Sequence, residues 1–269
     1  MTGAPRYVLG SEEAEIARLD GQASALALPT RLLLQLAGVG PGMRVLDLGT
    51  GLGSVAFQIA ELVGADGSVL GIDREAPMLA VAESRRTTDT VAFAQADATS
   101  YRDPEPFDAV VARLLLFHLP GAVGALRHHR AALRPGGLMV AIDFDCGTAR
   151  AEPAVPLVAT VLGWVEAAFR SAGANPRIGA ALAPMLREAG FEDVRTIGAQ
   201  GYFSEADEGA TRLSGIVRSL APQIVAQGIA SEEELGLASL EERIRQQVAA
   251  ADAVVLPPGL VGAWGRAPG

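Results

Sequence analysis

Three glycines at alternate positions follow a short apolar run near residue 50, and they are the most informative feature of the sequence. The run at 45–48 is predicted to be a buried strand, and a helix is predicted from residue 54. Glycine allows backbone dihedrals that other residues avoid, and the N–H groups that begin a helix are free to meet a ligand. The residues of this turn are Gly49, Thr50, Gly51 and Gly53.

Asp47 indicates which class of ligand the turn accepts. It lies at the end of the predicted strand, two positions before Gly49, and the glycine spacing is G-x-G-x-G rather than the G-x-G-x-x-G of dinucleotide-binding folds. A carboxylate that faces the ligand would repel a pyrophosphate, but it suits the α-ammonium of an amino-acid group. The turn therefore favours an aminoacyl nucleoside, and an NAD-dependent oxidoreductase stays as the alternative.

Two more aspartates close the next two predicted strands. Asp73 follows Gly53 by 20 positions, which is typical of an acid that binds ribose hydroxyls. Asp97 precedes the small residue Ala98, and this pair is predicted to contact the amino group of an adenine. Ligands of open α/β sheets lie outside the carboxyl ends of the strands, where all three aspartates are placed.

The elements around these residues alternate between strand and helix, which predicts an α/β fold with a doubly wound, mostly parallel sheet. The second half is predicted to be mostly helical, with one helix spanning 231–250, and Pro29 is predicted to start a second helix in the first 37 residues. We expect a single domain: a helical segment at 1–40, a ligand-binding core at 41–145 and a second half at 146–269. Predicted strands lie at 45–48, 69–72, 91–95, 107–112 and 138–142, with two more near 194–202 and 260–264.

Composition excludes several classes of function. The 269 residues include no lysine, which removes Schiff-base chemistry, and a single cysteine leaves no thiol-rich metal site, so we predict no metal. A net charge of −9 disfavours nucleic-acid binding, and the basic run Arg127 to Arg130 is predicted to be a solvated helix face. Without an apolar leader or a membrane-length apolar run, we expect a cytoplasmic protein with no membrane partner.

The ordered motifs resemble those of class I S-adenosylmethionine (SAM)-dependent methyltransferases, and most of all the UbiE/small-molecule methyltransferase type. The resemblance covers about 40–145, and residues 7–10 with 18–22 look like the lid helix of bacterial, especially actinobacterial, members. It implies a Rossmann-like seven-stranded sheet with an N-terminal helical lid, a C-terminal helical insertion and SAM as cofactor. The motifs are VLDLGTGLG at 45–53, GID at 71–73, ADA at 96–98, FDAV at 107–110 and LRPGG at 133–137.

The resemblance also implies further contacts with SAM. Arg113 is expected to meet its methionine part, Met78 to pack on the adenine, and Tyr7 to fold over the cofactor. We also predict Arg74, next to Asp73, as a cofactor-binding residue. Core packing of Met78 and a buried salt bridge of Arg113 are the competing interpretations. The complete set of predicted cofactor-binding residues is Tyr7, Asp47, Gly49, Thr50, Gly51, Gly53, Asp73, Arg74, Met78, Asp97, Ala98 and Arg113.

The acceptor side is less defined, because the methyl group of SAM is already activated and a general base is optional. We identify no catalytic residue. The candidates for binding a small, largely apolar acceptor are His118, Asp143, Trp164 and Tyr202, under a lid formed by helices at about 205–253. Helix packing of His118, a loop cap at Asp143 and core packing of Trp164 and Tyr202 are the competing interpretations. A methyltransferase-fold protein that binds SAM without methylating is the second alternative, and a homodimer stays open.

Overall fold

A seven-stranded sheet dominates the computed structural model, which describes residues 12–269, with side chains from residue 16. Its strand order is β3-β2-β1-β4-β5-β9-β7, and the predicted α/β class is confirmed. The strands of this sheet are β1 (Arg44–Leu48), β2 (Ser68–Asp73), β3 (Val91–Gln95), β4 (Phe107–Arg113), β5 (Leu133–Asp145), β7 (Glu192–Ala199) and β9 (Gly259–Arg266). A separate pair, β6 (Arg150–Glu152) and β8 (Val254–Leu256), is antiparallel.

The direction in which the chain adds strands to the sheet reverses at β1. The chain runs outward through β2 to the edge strand β3, then returns to β4 on the other side of β1, and these neighbours pair in parallel. Such a reversal leaves an opening at the carboxyl ends of the strands on either side of it, where open α/β sheets bind ligands. Asp47 pairs there with Gly71 on one side and Val111 on the other.

The helices follow the predicted pattern except at two places. Their bounds are α1 (Glu12–Ala37), α2 (Ser54–Val63), α3 (Ala76–Ser84), α4 (Ala122–Arg130), α5 (Pro156–Ser171), α6 (Ile178–Glu188), α7 (Ala206–Ala226), α8 (Glu232–Leu235) and α9 (Leu240–Ala250). The predicted break at Pro29 is wrong, because α1 continues through it and buries Leu33 and Leu34 beyond it. The single helix predicted at 231–250 is also wrong, because Gly236 takes a left-handed conformation (φ 51°) and ends α8.

The chain divides into two compact units. The sheet unit comprises Glu12–Asp143, Ile178–Gly198 and Leu260–Gly269, and the helical unit comprises Phe144–Arg177 and Ala199–Gly259 among the described residues. The helical unit has an apolar interior of its own, to which α5, α7 and α9 contribute. Each unit contains one tryptophan, Trp164 in the helical unit and Trp264 in the sheet unit. In the part of the chain that the structure describes, none of the helices combines the length and apolar character of a membrane-spanning segment.

Candidate functional site

The glycine turn after β1 combines tight packing with an open surface. Gly49, Gly51 and Gly53 all have positive φ angles, of 66°, 53° and 79°. A Cβ atom on Gly53 would lie 2.9 Å from the Phe93 ring, whereas a Cβ on Gly51 would meet no atom within 4 Å. Gly53 is thus required by packing at the start of α2, and Gly51 leaves a bare main-chain surface that a ligand can approach.

Asp73 holds this turn in place from the end of β2. Its Oδ2 accepts a hydrogen bond from the Gly51 N–H at 2.8 Å, and its Oδ1 accepts one from the Glu75 N–H at 3.0 Å. The turn is also tied to β2 by the Thr50 N–H, which donates to the Ile72 carbonyl at 2.9 Å. A carboxylate has about four acceptor sites, so Asp73 retains capacity for ligand hydroxyls.

Asp47 lies beneath the turn rather than on its surface. Its side chain is buried (1% exposed), and its Oδ2 accepts a hydrogen bond from the Thr50 hydroxyl at 2.6 Å. Burial raises the pKa of Asp47 to about 7, although the Thr50 hydroxyl, the charge of Arg113 and the Ala56 N–H oppose this shift. The predicted direct contact between Asp47 and a ligand stays a prediction, since the observed hydrogen bonds of its carboxyl join the turn to α2.

Arg113, at the end of β4, has unsatisfied donors near this carboxyl. Its Nη2 donates to the Ser54 hydroxyl at 3.0 Å, while its Nε and Nη1 are buried and have no hydrogen-bond partner among the described residues. Burial lowers the pKa of Arg113, and the charge of Asp47 acts in the opposite direction. A mostly buried cation with two unpartnered donors could hold an anionic group, because charge-assisted hydrogen bonds are the strong ones.

Asp97, which follows β3, is more exposed than Asp47. Oδ1 of Asp97 accepts hydrogen bonds from the N–H (2.7 Å) and hydroxyl (2.6 Å) of Thr99, and these bonds lower its pKa. The Ala98 carbonyl accepts a hydrogen bond from Nε2 of His129, which is fully buried. The prediction of a solvated basic run at 127–130 is therefore wrong at His129, because α4 turns this ring inward onto the loop after β3.

His118 and Asp143 share one local structure. The Asp143 carboxyl is buried, and its Oδ2 accepts a hydrogen bond from the Phe117 N–H at 3.0 Å, which supports the 3-10 turn at Leu116–His118. The exposed His118 has a lowered pKa because neighbouring protein atoms desolvate its ring and because Arg74 and Arg18 are positively charged. Arg18, from the predicted lid segment at 18–22, thus belongs to this charged group, although it was not predicted as a site residue.

The remaining predicted residues are distributed more widely. Met78 is half-buried on α3, and the exposed Arg74 pairs with Glu75 at 3.2 Å. Trp164 and Tyr202 belong to the helical unit, where Trp164 packs against the apolar interior and Tyr202 is 67% exposed. Tyr7 lies outside the described residues.

The comparison with protein families settles the class of the chain. A family model described as a methyltransferase domain matches residues 40–189, which is more than half of the sequence and includes every element around the glycine turn. The chain belongs to the methyltransferase-domain family.

Individual relatives agree with this assignment. The chain is 35% identical over 136 residues to the ubiquinone/menaquinone biosynthesis C-methyltransferase UbiE of Ectopseudomonas mendocina, covering 49% of this chain and 51% of that protein. The chain thus spans about half the length of this relative. The YcgJ protein of Bacillus subtilis has a similar structure, with a TM-score of 0.59, 18% identity and coverage of 89% of this chain and 98% of that one.

A second solved structure is also similar to this chain. It is phosphoethanolamine N-methyltransferase 2 of Haemonchus contortus, solved with phosphomonomethylethanolamine and S-adenosylhomocysteine. The TM-score is 0.55 at 20% identity, with coverage of 90% of this chain and 52% of that one. At these identities, the two structural likenesses show a shared fold.

Two residues of the methyltransferase domain were missed from the sequence although they contact predicted site residues. Ser54 directly follows Gly53 and bonds Arg113, so its place after the glycine turn was an available signal. His129 had no such signal, because its role depends on how α4 faces the sheet. Over residues 16–269, no group of three or more His, Cys, Asp or Glu side chains is arranged to hold a metal ion.

Proposed function

We propose that this chain is a SAM-dependent methyltransferase that acts on a small, largely apolar acceptor. The observation that carries the proposal is the pairing of a bare glycine turn, held by Asp73, with the unpartnered buried donors of Arg113. The first element suits a nucleoside that lies against the main chain, and the second suits a carboxylate. Because the chain belongs to the methyltransferase-domain family, we assign these two features to a methyl-transfer reaction.

The residues present fit an aminoacyl nucleoside from one end to the other. Nε and Nη1 of Arg113 would hold the α-carboxylate, and Asp47 would attract the α-ammonium. Asp73 would accept hydrogen bonds from the ribose hydroxyls, while Met78 and Asp97 would meet the adenine. A dinucleotide fits less well, since it would bring an anionic pyrophosphate toward the Asp47 carboxyl and supply no ammonium group.

The side chains contribute mainly orientation. Bound SAM supplies a sulfonium whose methyl group is already activated toward a nucleophile. Arg113 would fix the aminoacyl end of the cofactor and Asp73 its ribose, which restricts the reacting geometry, and orientation of this kind lowers a barrier substantially. His118 has a lowered pKa, so its ring is neutral near pH 7 and one ring nitrogen can accept a proton from an acceptor that arrives protonated.

The acceptor class is inferred from composition and relatives. Helices α7 to α9 fall within the segment at about 205–253 that we propose as the acceptor lid, and the interior of the helical unit is apolar. UbiE is named a C-methyltransferase of ubiquinone and menaquinone biosynthesis, and it shares half of its length with this chain. An aromatic ring of the quinol type, methylated at carbon, is therefore the first acceptor to test.

Binding of SAM is tested at Asp73. Asp73→Ala removes the carboxylate from the turn, and hydrogen bonds to charged groups contribute about 1.5–3 kcal/mol, so we expect SAM affinity to fall roughly 10- to 100-fold by titration calorimetry. Asp66→Ala is the matched control, because Asp66 is an exposed aspartate just before the opposite end of β2. Equal affinities of the two variants for SAM would contradict the assignment.

Two measurements on the unmodified protein separate the alternatives. Calorimetry with SAM, S-adenosylhomocysteine and NAD should give binding for the first two, and binding of NAD alone would favour an oxidoreductase. Methyl-labelled SAM offered with a panel of quinols, phenols and amines should label one acceptor class. Tight SAM binding without label transfer to any class would favour a binding protein of the same fold.

A further inference from the structure

Helix α4 directs two adjacent histidines at the loop that follows β3. Nε2 of His129 lies 2.5 Å from the Ala98 carbonyl oxygen, and Nε2 of His128 lies 2.7 Å from the Tyr101 carbonyl oxygen. The two imidazole rings are 5.0 Å apart between centroids and nearly perpendicular, at 88°. Because a carbonyl oxygen only accepts hydrogen bonds, each Nε2 must be the donor.

Among the described residues, the His129 ring makes a single hydrogen bond, from Nε2 to the Ala98 carbonyl. Its side chain is fully buried, and its Nδ1 has no hydrogen-bond partner among the described residues. With Nε2 protonated, Nδ1 keeps a lone pair that nothing satisfies, and leaving a buried polar atom unpaired costs about 1–3 kcal/mol. A leucine would fill much of this space without that cost, so packing alone does not account for an imidazole here.

The contact of His129 controls the geometry of Asp97. The Ala98 carbonyl and the Thr99 N–H belong to the same planar peptide unit. His129 holds the carbonyl side of this plane, and Oδ1 of Asp97 accepts from its N–H side at 2.7 Å. Because the plane is rigid, its rotation would break both hydrogen bonds together, so fixing the carbonyl also fixes the Asp97 carboxylate.

We propose that His129 is a positioning residue that sets the affinity of the site for the adenine end of the cofactor by orienting Asp97 through the Ala98–Thr99 peptide. This proposal rests on the proposed function. It gives α4, which contains none of the predicted cofactor-binding residues, a defined part in cofactor recognition. His128 anchors the far end of the same loop at Tyr101.

The test compares His129→Leu with His129→Gln. Leucine cannot donate, so the dissociation constant for S-adenosylhomocysteine should rise about fivefold, the scale of one neutral hydrogen bond. Glutamine carries an amide N–H at a similar reach and should restore affinity to within about twofold of the original protein. KM for SAM should follow these changes while kcat at saturating SAM stays constant, because Asp97 lies at the adenine end.

A double-mutant cycle with Asp97→Ala separates positioning from general destabilisation. If His129 acts through Asp97, His129→Leu should add less than about twofold in the Asp97→Ala background. The proposal is overturned if His129→Leu weakens binding as much in the Asp97→Ala background as in the original protein. It is also overturned if folded His129→Leu binds S-adenosylhomocysteine with unchanged affinity.

Amide exchange gives a readout that needs no ligand. In His129→Gln the Thr99 amide should stay as protected as in the unmodified protein, and in folded His129→Leu it should exchange faster. Equal protection of Thr99 in unmodified protein and His129→Leu would overturn the proposal even if the chain did not bind SAM. Failure of the unmodified protein to bind SAM or S-adenosylhomocysteine would instead contradict the proposed function, so the two failures are distinguishable.

Discussion

The carboxyl ends of β1 and β3 each present an aspartate, but in opposite environments. Asp47 is buried, and its pKa is raised to about 7, whereas Asp97 is exposed and has a lowered pKa. β1 is an interior strand with neighbours on both sides, and β3 is the edge strand. The comparison teaches that an acid at a strand end acquires its chemistry from the position of that strand in the sheet.

The largest expected effect is on stability at the β1 end. Because the folded pKa of Asp47 lies above its ordinary value of 3.8, the folded state retains a proton between these values and stability falls as pH rises through that window. The difference corresponds to roughly 4 kcal/mol. Urea denaturation should show this loss from about pH 4 to pH 7 in the unmodified protein and not in Asp47→Asn.

Asp97→Asn provides the contrast at the β3 end. The lowered pKa of Asp97 stabilises the folded state above the unfolded pKa, and this contribution is lost as pH falls through the folded pKa. The unmodified protein should therefore lose stability relative to Asp97→Asn as pH falls, whereas it should lose stability relative to Asp47→Asn as pH rises. If the stabilities of the unmodified protein and of Asp47→Asn changed with pH in parallel, the buried Asp47 would not differ from Asp97 in the way proposed.

The next effect tests the bare surface of the turn at the β1 end. Gly51→Ala places a methyl group in open space at a left-handed residue, which costs about 1–2 kcal/mol of stability. Gly42→Ala is the matched control, because Gly42 also has a positive φ (76°) and open space but precedes β1 at its opposite end. Both variants should lose similar stability, and only Gly51→Ala should weaken SAM binding, by about tenfold or more. Comparable weakening in both would show that the surface at Gly51 is not used.

A smaller effect is the pH dependence of SAM affinity. If the cofactor ammonium favours ionised Asp47, only the deprotonated fraction is competent, and the dissociation constant should fall about tenfold between pH 6 and pH 8. Calorimetry at several pH values should show this change in the unmodified protein and a flat profile in Asp47→Asn. If the SAM affinity of Asp47→Asn still changed with pH, the titrating group would be a residue other than Asp47.

The smallest effect belongs to the β3 end. Asp97→Ala removes an exposed carboxylate, so SAM affinity should fall about fivefold, and the loss should be the same at pH 6 and pH 8 because the pKa of Asp97 is already low. Thr99→Ala, which keeps the carboxylate but removes its hydroxyl partner, should change affinity less. A larger loss of SAM affinity for Asp97→Ala than for Gly51→Ala would reverse the order proposed for the β1 and β3 ends.

Much of the sheet could be predicted from sequence, because buried parallel strands appear as short apolar runs between turn residues. The strand predicted at 91–95 has the observed bounds of β3. Helix ends were harder to predict. Pro29 has the local signature of a helix start, yet α1 continues through it and buries Leu33 and Leu34 beyond it. Gly236 is equally compatible with a helix interior until tertiary packing selects its left-handed conformation.

The candidate site could likewise be predicted only in part from the sequence. The glycine turn and the place of Asp73 follow from local spacing, and the structure brings them into contact. The burial of Asp47 depends on how α2 closes over β1, and the contact of His129 depends on the orientation of α4. Neither relation is encoded within a few residues, so neither could be inferred from the motifs.

The distribution of the two indole rings makes the chain suitable for fluorescence spectroscopy. Trp264 is 8% exposed on β9, and Trp164 packs against the apolar interior of the other unit. Replacing either ring by phenylalanine leaves a single emitter, whose wavelength and quenching then describe one unit alone. Optical signals recorded during denaturation or ligand addition can thus be assigned to one half of the molecule without an attached dye.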